Sequence, residues 1–388
     1  MKVVQVLPAL EGGGVEKGTL EIAQALVQAG HESIVISAGG RMVEQLIQQG
    51  SQHIDWDLGK KSLLSFRHIW MIRKWLKQER PDILHLRSRM PAWVIWLAWR
   101  GLPKNDRPHL VTTVHGLYSV SKYSEIMCKG ECVIAVSETV KNYIRSNYPT
   151  TDMSRVELVF RGVDPTEFPY GYQPSDQWLK QWHHDFPQLS GKKILTLPGR
   201  LTRLKGHNDF IDLISKLKQV GEPIHGLIVG GEDPKRQKYA AELRQRIHTE
   251  GLEDVITFTG NRSDIREIYT VSNIVLSLST KPESFGRTVL EALSLGVPVV
   301  GYDHGGVGEI LSHLYPDGRI KINHEMIELV TKLRTLLNCT HQIKPTHSFT
   351  LTAMCENTLN LYTRLVGGAT CASNEVNSAR STDSEKNR

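Results

Sequence analysis

Apolar, β-branched runs alternate along this chain with stretches whose apolar positions recur every three or four residues. Runs near residues 3–7, 33–37, 82–86, 109–114, 132–136 and 156–160 read as buried strands, and 15–29 and 65–78 as amphipathic helices. Such alternation predicts an α/β fold in which a parallel sheet is wrapped by helices. The pattern resumes with strands near 193–197, 225–229, 255–258, 273–279 and 298–302. Between the two series, residues 164–174 are rich in Pro, Gly and Tyr and carry neither periodicity, which marks the expected connection between domains. The reading is a first domain over 1–170, a second over 171–348 and a terminal helix over 349–366. The polar residues 367–388 form a tail expected to be disordered.

Composition agrees with two packed domains and adds one asymmetry. The chain has 388 residues, 40% apolar and 23% charged, long for a single core and too apolar for disorder over most of its length. The first residues form a strand pattern without signal-peptide architecture, and the longest apolar run, 90–99, is half of the ~20 residues a spanning helix needs. Five scattered cysteines show no disulfide framework and no zinc-type double pair, so a reducing cytoplasm is the expected compartment and no metal is expected. The asymmetry lies between Lys60 and Arg107, which hold twelve Lys or Arg, three acidic residues and five of the eight tryptophans: Trp70, Trp75, Trp93, Trp96 and Trp99. Basic and aromatic side chains together suit an anionic membrane surface. The other reading is that Trp93, Trp96 and Trp99 share a helix face packed inside the first domain. No nucleic-acid-binding module accompanies the basic residues, and nucleic acid is not an expected partner.

Candidate chemistry concentrates in the second half. In Lys281-Pro282-Glu283-Ser284-Phe285-Gly286-Arg287-Thr288-Val289-Leu290-Glu291-Ala292, two carboxylates stand on either side of a helix start. Helical rise would separate them by ~12 Å, too far for a retaining glycosidase pair at ~5 Å and suited to holding two parts of one elongated ligand. Gly286 lets a ligand approach the backbone, and the free N–H groups of a helix start offer a place for a diphosphate. The plain alternative is an acidic turn and a solvated Glu. A strand at 193–197 runs into a loop with Arg200, Arg203 and Lys205, cations at the carboxyl end of a strand, where ligands of parallel sheets bind.

Here the chain resembles the family 4 retaining glycosyltransferases of the GT-B fold. The matching pieces are Gly12-Gly13-Gly14-Val15-Glu16, His115-Gly116, Val136-Ser137-Glu138, Arg161-Gly162-Val163-Asp164, the loop from Gly199-Arg200 to Lys205-Gly206, and Gly230-Gly231. Glu283 through Glu291 and Gly305-Gly306-Val307-Gly308-Glu309 complete the set. The resemblance implies two Rossmann-like domains facing across a cleft, with the terminal helix returning to the first. It also implies transfer of a sugar from a nucleotide diphosphate sugar, without a metal cofactor. By the same resemblance Glu283 bonds donor-sugar hydroxyls and Glu291 the ribose, while the base rests near Asn261 and Arg262. Arg200, Lys205 and the helix start at Gly286 and Arg287 meet the diphosphate; Phe285 belongs to the same donor segment. His115 lies beside the donor sugar, and Gly13 and Gly14 leave backbone room for donor phosphate and acceptor. After its Gly305-Gly306 pair and Glu309, relatives run into a turn and a short apolar strand, where this chain has Leu311 to Ile320 in a different pattern.

Competing classes fit less well. A nicotinamide oxidoreductase needs a third glycine where Lys17 stands and an acidic residue after the second strand, which ends in Ser37. A nucleoside triphosphatase needs Lys where Thr19 follows Gly18. A catalytically silent sugar-nucleotide-binding module shares the fold, although the joint presence of Glu283, Glu291, Arg200, Lys205 and His115 favours an enzyme. Similarity to bacterial envelope glycosyltransferases through Arg87-Ser88-Arg89-Met90-Pro91-Ala92-Trp93 implies a glycan or glycolipid acceptor, as in lipopolysaccharide core synthesis. The enzyme would then sit in the cytoplasm, peripheral to the inner face of the inner membrane.

Overall fold

The computed structural model describes residues 1–60, 68–232, 237–322, 325–345, 347–369 and 371. Lys61, the expected helix start at 65–67, and the expected disordered tail from 372 onward lie outside the described residues. The chain divides into two compact units, Met1–Arg161 with Leu351–Arg388, and Gly162–Thr350.

The first unit is built on a parallel sheet of β1 (Lys2–Val6), β2 (Glu32–Ser37), β3 (Gln52–Asp55), β4 (Ile83–Leu86), β5 (His109–Val114), β6 (Cys132–Ala135) and β7 (Val156–Leu158). Its order is β3-β2-β1-β4-β5-β6-β7. The strands are apolar almost throughout because helices cover both faces, which removes the alternation of a half-exposed sheet. The exception is β3, whose Gln52-His53-Ile54-Asp55 runs along an edge beside β2 and carries too little apolar signal to be expected from sequence. The Leu351–Val366 helix packs here, with Met354, Leu361, Tyr362 and Leu365 against Val3, Ile22, Leu26 and Ile83. Its Tyr362 hydroxyl is 2.6 Å from His85 Nδ1.

The second unit holds β8 (Lys193–Pro198), β9 (Ile224–Val229), β10 (Ile256–Gly260), β11 (Ile274–Ser277), β12 (Val299–Tyr302) and β13 (Arg319–Ile320), in the order β10-β9-β8-β11-β12-β13. After the glycine pair the chain completes a helix, Gly305–Leu314, and closes the sheet edge with the two residues of β13 alongside β12.

Residues 164–174, expected to connect the domains, belong to the second unit, and the division falls at Arg161 rather than at 170. The reason is anchoring. Gly171 N–H bonds Leu295 O at 3.0 Å, the Tyr172 hydroxyl donates to Glu267 at 3.0 Å, and the Tyr170 ring fills the space beside Gly296. A second difference concerns sulfur: Cys132 of β6 and Cys371 form a disulfide, a pairing that the scattered spacing did not suggest. Cys128 and Cys355 are free, and burial pushes their thiols up to about 11 and about 12, where they stay protonated and unreactive.

Candidate functional site

In an open parallel sheet the crevice for a ligand opens where the winding reverses and loops leave the carboxyl ends of adjacent strands in opposite directions. In the second unit this point lies between β8 and β11. Residues 199–206 leave β8 and residues 278–286 follow β11, and Thr280 N–H joins the two by bonding Leu204 O at 2.9 Å. Gly206 is left-handed (φ 73°), and a Cβ there would stand 1.9 Å from Leu278 O, so only glycine lets the loops close on each other. That closure sets Lys205 Nζ 2.7 Å from Glu283 Oε1. The Ser279 hydroxyl also donates to Glu283 Oε1, and His304 Nε2–H donates to Ser279 O at 2.8 Å. Burial raises the Glu283 carboxyl, but the Lys205 charge and the bonds from Lys205 and Ser279 outweigh it. The group is held below the usual range and is ionised at neutral pH.

Gly286, at φ 107°, turns the chain into the Arg287–Ser294 helix. Behind the turn, Gly306 N–H bonds Glu283 O at 2.8 Å, and a Cβ on Gly306 would lie 2.2 Å from Phe285 O. The glycine pair is therefore the seat of residues 283–286. Phe285 is buried with its ring edge against Phe349, so its side chain supports the turn and only its backbone is free to meet a ligand. Glu291 is also buried and takes the Arg287 Nε–H at 3.1 Å. Arg200 is exposed and makes no hydrogen bond or ion pair with the described residues. Asn261 and Arg262 follow β10, two strands away from β8, with Asn261 beside Gly231. The Arg262 guanidinium gives both bonds of its fork to Asp264, at 2.9 and 2.6 Å, so it is not available as a free cation. The structure thus brings together Lys205 with Glu283 and Arg287 with Glu291, and leaves Arg200 unengaged.

The first unit repeats the geometry with different chemistry. Its winding reverses between β1 and β4. Gly13 and Gly14 follow β1 and open the Gly14–Gln28 helix; Arg87 follows β4, His115 follows β5 and Arg161 follows β7. Arg87 and His115 are buried and Arg161 partly so, where Lys205 and Glu283 of the second unit are half-exposed. Arg87 donates to Gln5 Oε1 at 2.8 Å, and its Nε–H finds no partner among the described residues. Burial, and then the charges of Arg161 and Arg87, hold His115 well below its ordinary value, so its ring is neutral. Arg161 reaches both His115 Nδ1, at 2.8 Å, and Gly14 O, at 2.7 Å. Gly18, Glu21, His85, Arg87, His115 and Arg161 line a cavity of about 30 Å³, room for one or two water-sized groups. In the sequence Arg87 and Arg161 stand out only as parts of motifs, and Ser279 and His304 carry no signal of their own. The carboxyl-end rule that flagged Arg200 applies equally to Arg87 and Arg161.

Two family models divide the chain: residues 12–167 match Glycosyltransferase Family 4, and residues 180–349 match Glycosyl transferases group 1. The chain belongs to the family 4 glycosyltransferases of the GT-B fold, and is a glycosyltransferase. It is 27% identical over 330 residues to the N-acetyl-alpha-D-glucosaminyl L-malate synthase of Bacillus anthracis, covering 79% of each. Among solved structures, a glycosyltransferase from Rickettsia africae is similar at TM-score 0.81 and 28% identity, with 94% of this chain and 98% of that one covered. Anabaena HepE, solved in complex with UDP and glucose, shares the fold at TM-score 0.76 and 20% identity, covering 93% and 98%.

Proposed function

We propose that this enzyme transfers a sugar from a nucleotide diphosphate sugar, with retention at the anomeric carbon, to a glycan or glycolipid acceptor of envelope polysaccharide synthesis such as lipopolysaccharide core. The observation that carries the reading is the Lys205–Glu283 pair at the switch point of the second sheet. Without ligand the two charges satisfy each other. With donor bound, each exchanges its partner for the ligand, Lys205 for the diphosphate and Glu283 for the hydroxyls of the sugar, from loops that already hold both charges at the switch point. Arg200 supplies a further cation, and the N–H groups beginning the Arg287–Ser294 helix receive oxygens of the departing diphosphate. Charge that grows as the glycosidic bond breaks is then stabilised by groups already in place, and no metal is needed for the step. Glu291, fixed by Arg287, is the group for the ribose, and residues 261–262 are the place for the base. The complex of HepE with UDP supports a nucleotide donor in this fold.

The acceptor falls to the first unit. Trp93 and Trp99 spend their indole N–H groups on Tyr123 O and Pro108 O and, with Trp96, pack partly buried on the core, which supports the helix-face reading for these three. Trp70 is 76% exposed and shares a helix face with Lys74 and Lys77, a basic and aromatic patch suited to anionic lipid on the cytoplasmic face. Among the described residues no helix is long and apolar enough to span a membrane.

A panel of nucleotide sugars tests the reading. A true donor raises the melting temperature in proportion to its occupancy, and with an acceptor present it yields a product whose anomeric configuration, read by NMR, matches the donor. Stabilisation without transfer would support a silent binding module instead. No stabilisation by any nucleotide sugar overturns the proposal.

A further inference from the structure

We propose that Arg161 is a positioning residue that holds His115 in a single tautomer and ties it to the glycine loop at Gly14. The inference deepens the transfer reading above and rests on it for its catalytic consequence. A guanidinium donates and cannot accept, so the His115 Nδ1 that Arg161 reaches at 2.8 Å carries a lone pair. The proton of the neutral ring is therefore on Nε2. That Nε2–H is buried and has no partner among the described residues. A buried donor left unpaired is costly, and its persistence beside a cavity marks it as held for an incoming oxygen.

The other arm of Arg161 bonds Gly14 O at 2.7 Å, and a Cβ on Gly14 would stand 2.8 Å from the same guanidinium nitrogen. One side chain thereby sets both the ring and the loop that opens the Gly14–Gln28 helix. Only a planar fork with several fixed donors serves two acceptors in this way. The charged and titratable groups around the ring do not do the same work. Arg87 is committed to Gln5, and His85 lies between the hydroxyls of Tyr362 and Thr113, each at 2.6 Å. The Tyr118 hydroxyl accepts the backbone N–H of His115 at 3.3 Å, and Glu21 lines the cavity wall. Among the described residues Arg161 is the one group that bonds Nδ1.

The test uses the full-length protein labelled with 15N at histidine, the Arg161→Gln variant, and transfer kinetics from pH 5 to 8. In the wild type, His115 shows a protonated Nε2 and an unprotonated Nδ1 across this range. In Arg161→Gln the ring populates both tautomers or titrates within the range, kcat falls about tenfold to a hundredfold as the geometry slackens, and an acidic limb appears in the pH profile. KM for the nucleotide sugar stays within about twofold, since the groups assigned to the diphosphate, ribose and base lie in the second unit. A purely structural arginine would change the melting temperature without moving the pH profile. Wild-type protein with the proton on Nδ1 overturns the proposal even where the variant does not fold, as does a variant with unaltered tautomer and profile. The tautomer is read without substrate, so absence of transfer in the wild type would refute the functional reading and leave this one standing or falling on the NMR result.

Discussion

The two sheets place their candidate site side chains at the same topological position and treat their charge in opposite ways. At the β8/β11 switch point an ammonium and a carboxylate meet as a half-exposed pair, with side chains 29% and 23% accessible. At β1/β4 an arginine and two histidines are buried, and burial with neighbouring cations keeps the imidazoles neutral. The difference teaches what each site is prepared for. A paired, reachable charge can be exchanged for a ligand's charge at little cost, whereas a buried neutral ring can only offer a hydrogen bond of fixed direction.

The comparison breaks most sharply at Lys205 and Glu283. Replacing either by Ala is expected to cost two to three orders of magnitude in kcat/KM, the usual scale for losing a preorganised charge at the reacting centre. Folding is expected to survive, because both lie in loops and the pair is half-exposed. Steady-state transfer rates beside melting curves decide it: normal melting with near-normal turnover would remove the pair from the donor site. Chelation by EDTA is expected to leave the same rates unchanged, and a complete loss restored by Mg²⁺ would refute the metal-free step.

Acid should separate the two units less drastically. His207 and His225 in the second unit are pushed down to about 4 by burial, and His85 and His115 in the first lie well below their ordinary value for the same leading reason. In the unfolded chain all four titrate near 6.5. Below that pH the unfolded state binds more protons, so their contribution is complete above about 6.5 and is lost as pH falls toward the folded values. Melting temperature is expected to drop steadily from pH 7 to 4.5, with His225→Gln flattening part of the slope. A melting temperature independent of pH over this range would show that the rings are not held neutral.

How much of this was legible in sequence follows from what each feature depends on. Apolar runs such as 109–114 announce buried strands by composition alone, and the Glu283 to Glu291 segment announces a helix start by its Gly286. The edge strand β3 escaped because a polar edge has no need of apolar residues, and the domain boundary was misplaced because anchoring by Tyr170 and Tyr172 is a tertiary fact. The Cys132–Cys371 bond, across 239 residues, is likewise invisible to spacing. At the site, sequence gave positions at strand ends but no partners. That Arg262 is engaged by Asp264 while Arg200 is unengaged, and that Arg161 grips His115, depends on side-chain directions that no motif encodes.

The smallest expected effect concerns the outer face of the first unit. Trp70, Lys74 and Lys77 fall at helical spacing on the His68–Glu79 helix, and the ring of Trp70 is further braced by Arg73 at 5.3 Å. A face of this kind binds anionic lipid weakly, about 1 kcal/mol per well-placed basic residue, and loses its hold within a Debye length of ~8 Å at physiological salt. The variant Trp70→Ala, Lys74→Ala, Lys77→Ala is therefore expected to reduce sedimentation with anionic liposomes at low salt by tenfold or more, and to leave transfer to a soluble acceptor unchanged. High salt should reproduce the loss in the wild type. Equal sedimentation of wild type and variant would detach the membrane from this helix, and the exposed tryptophan would need another partner, while the donor site proposed for the second unit would be untouched.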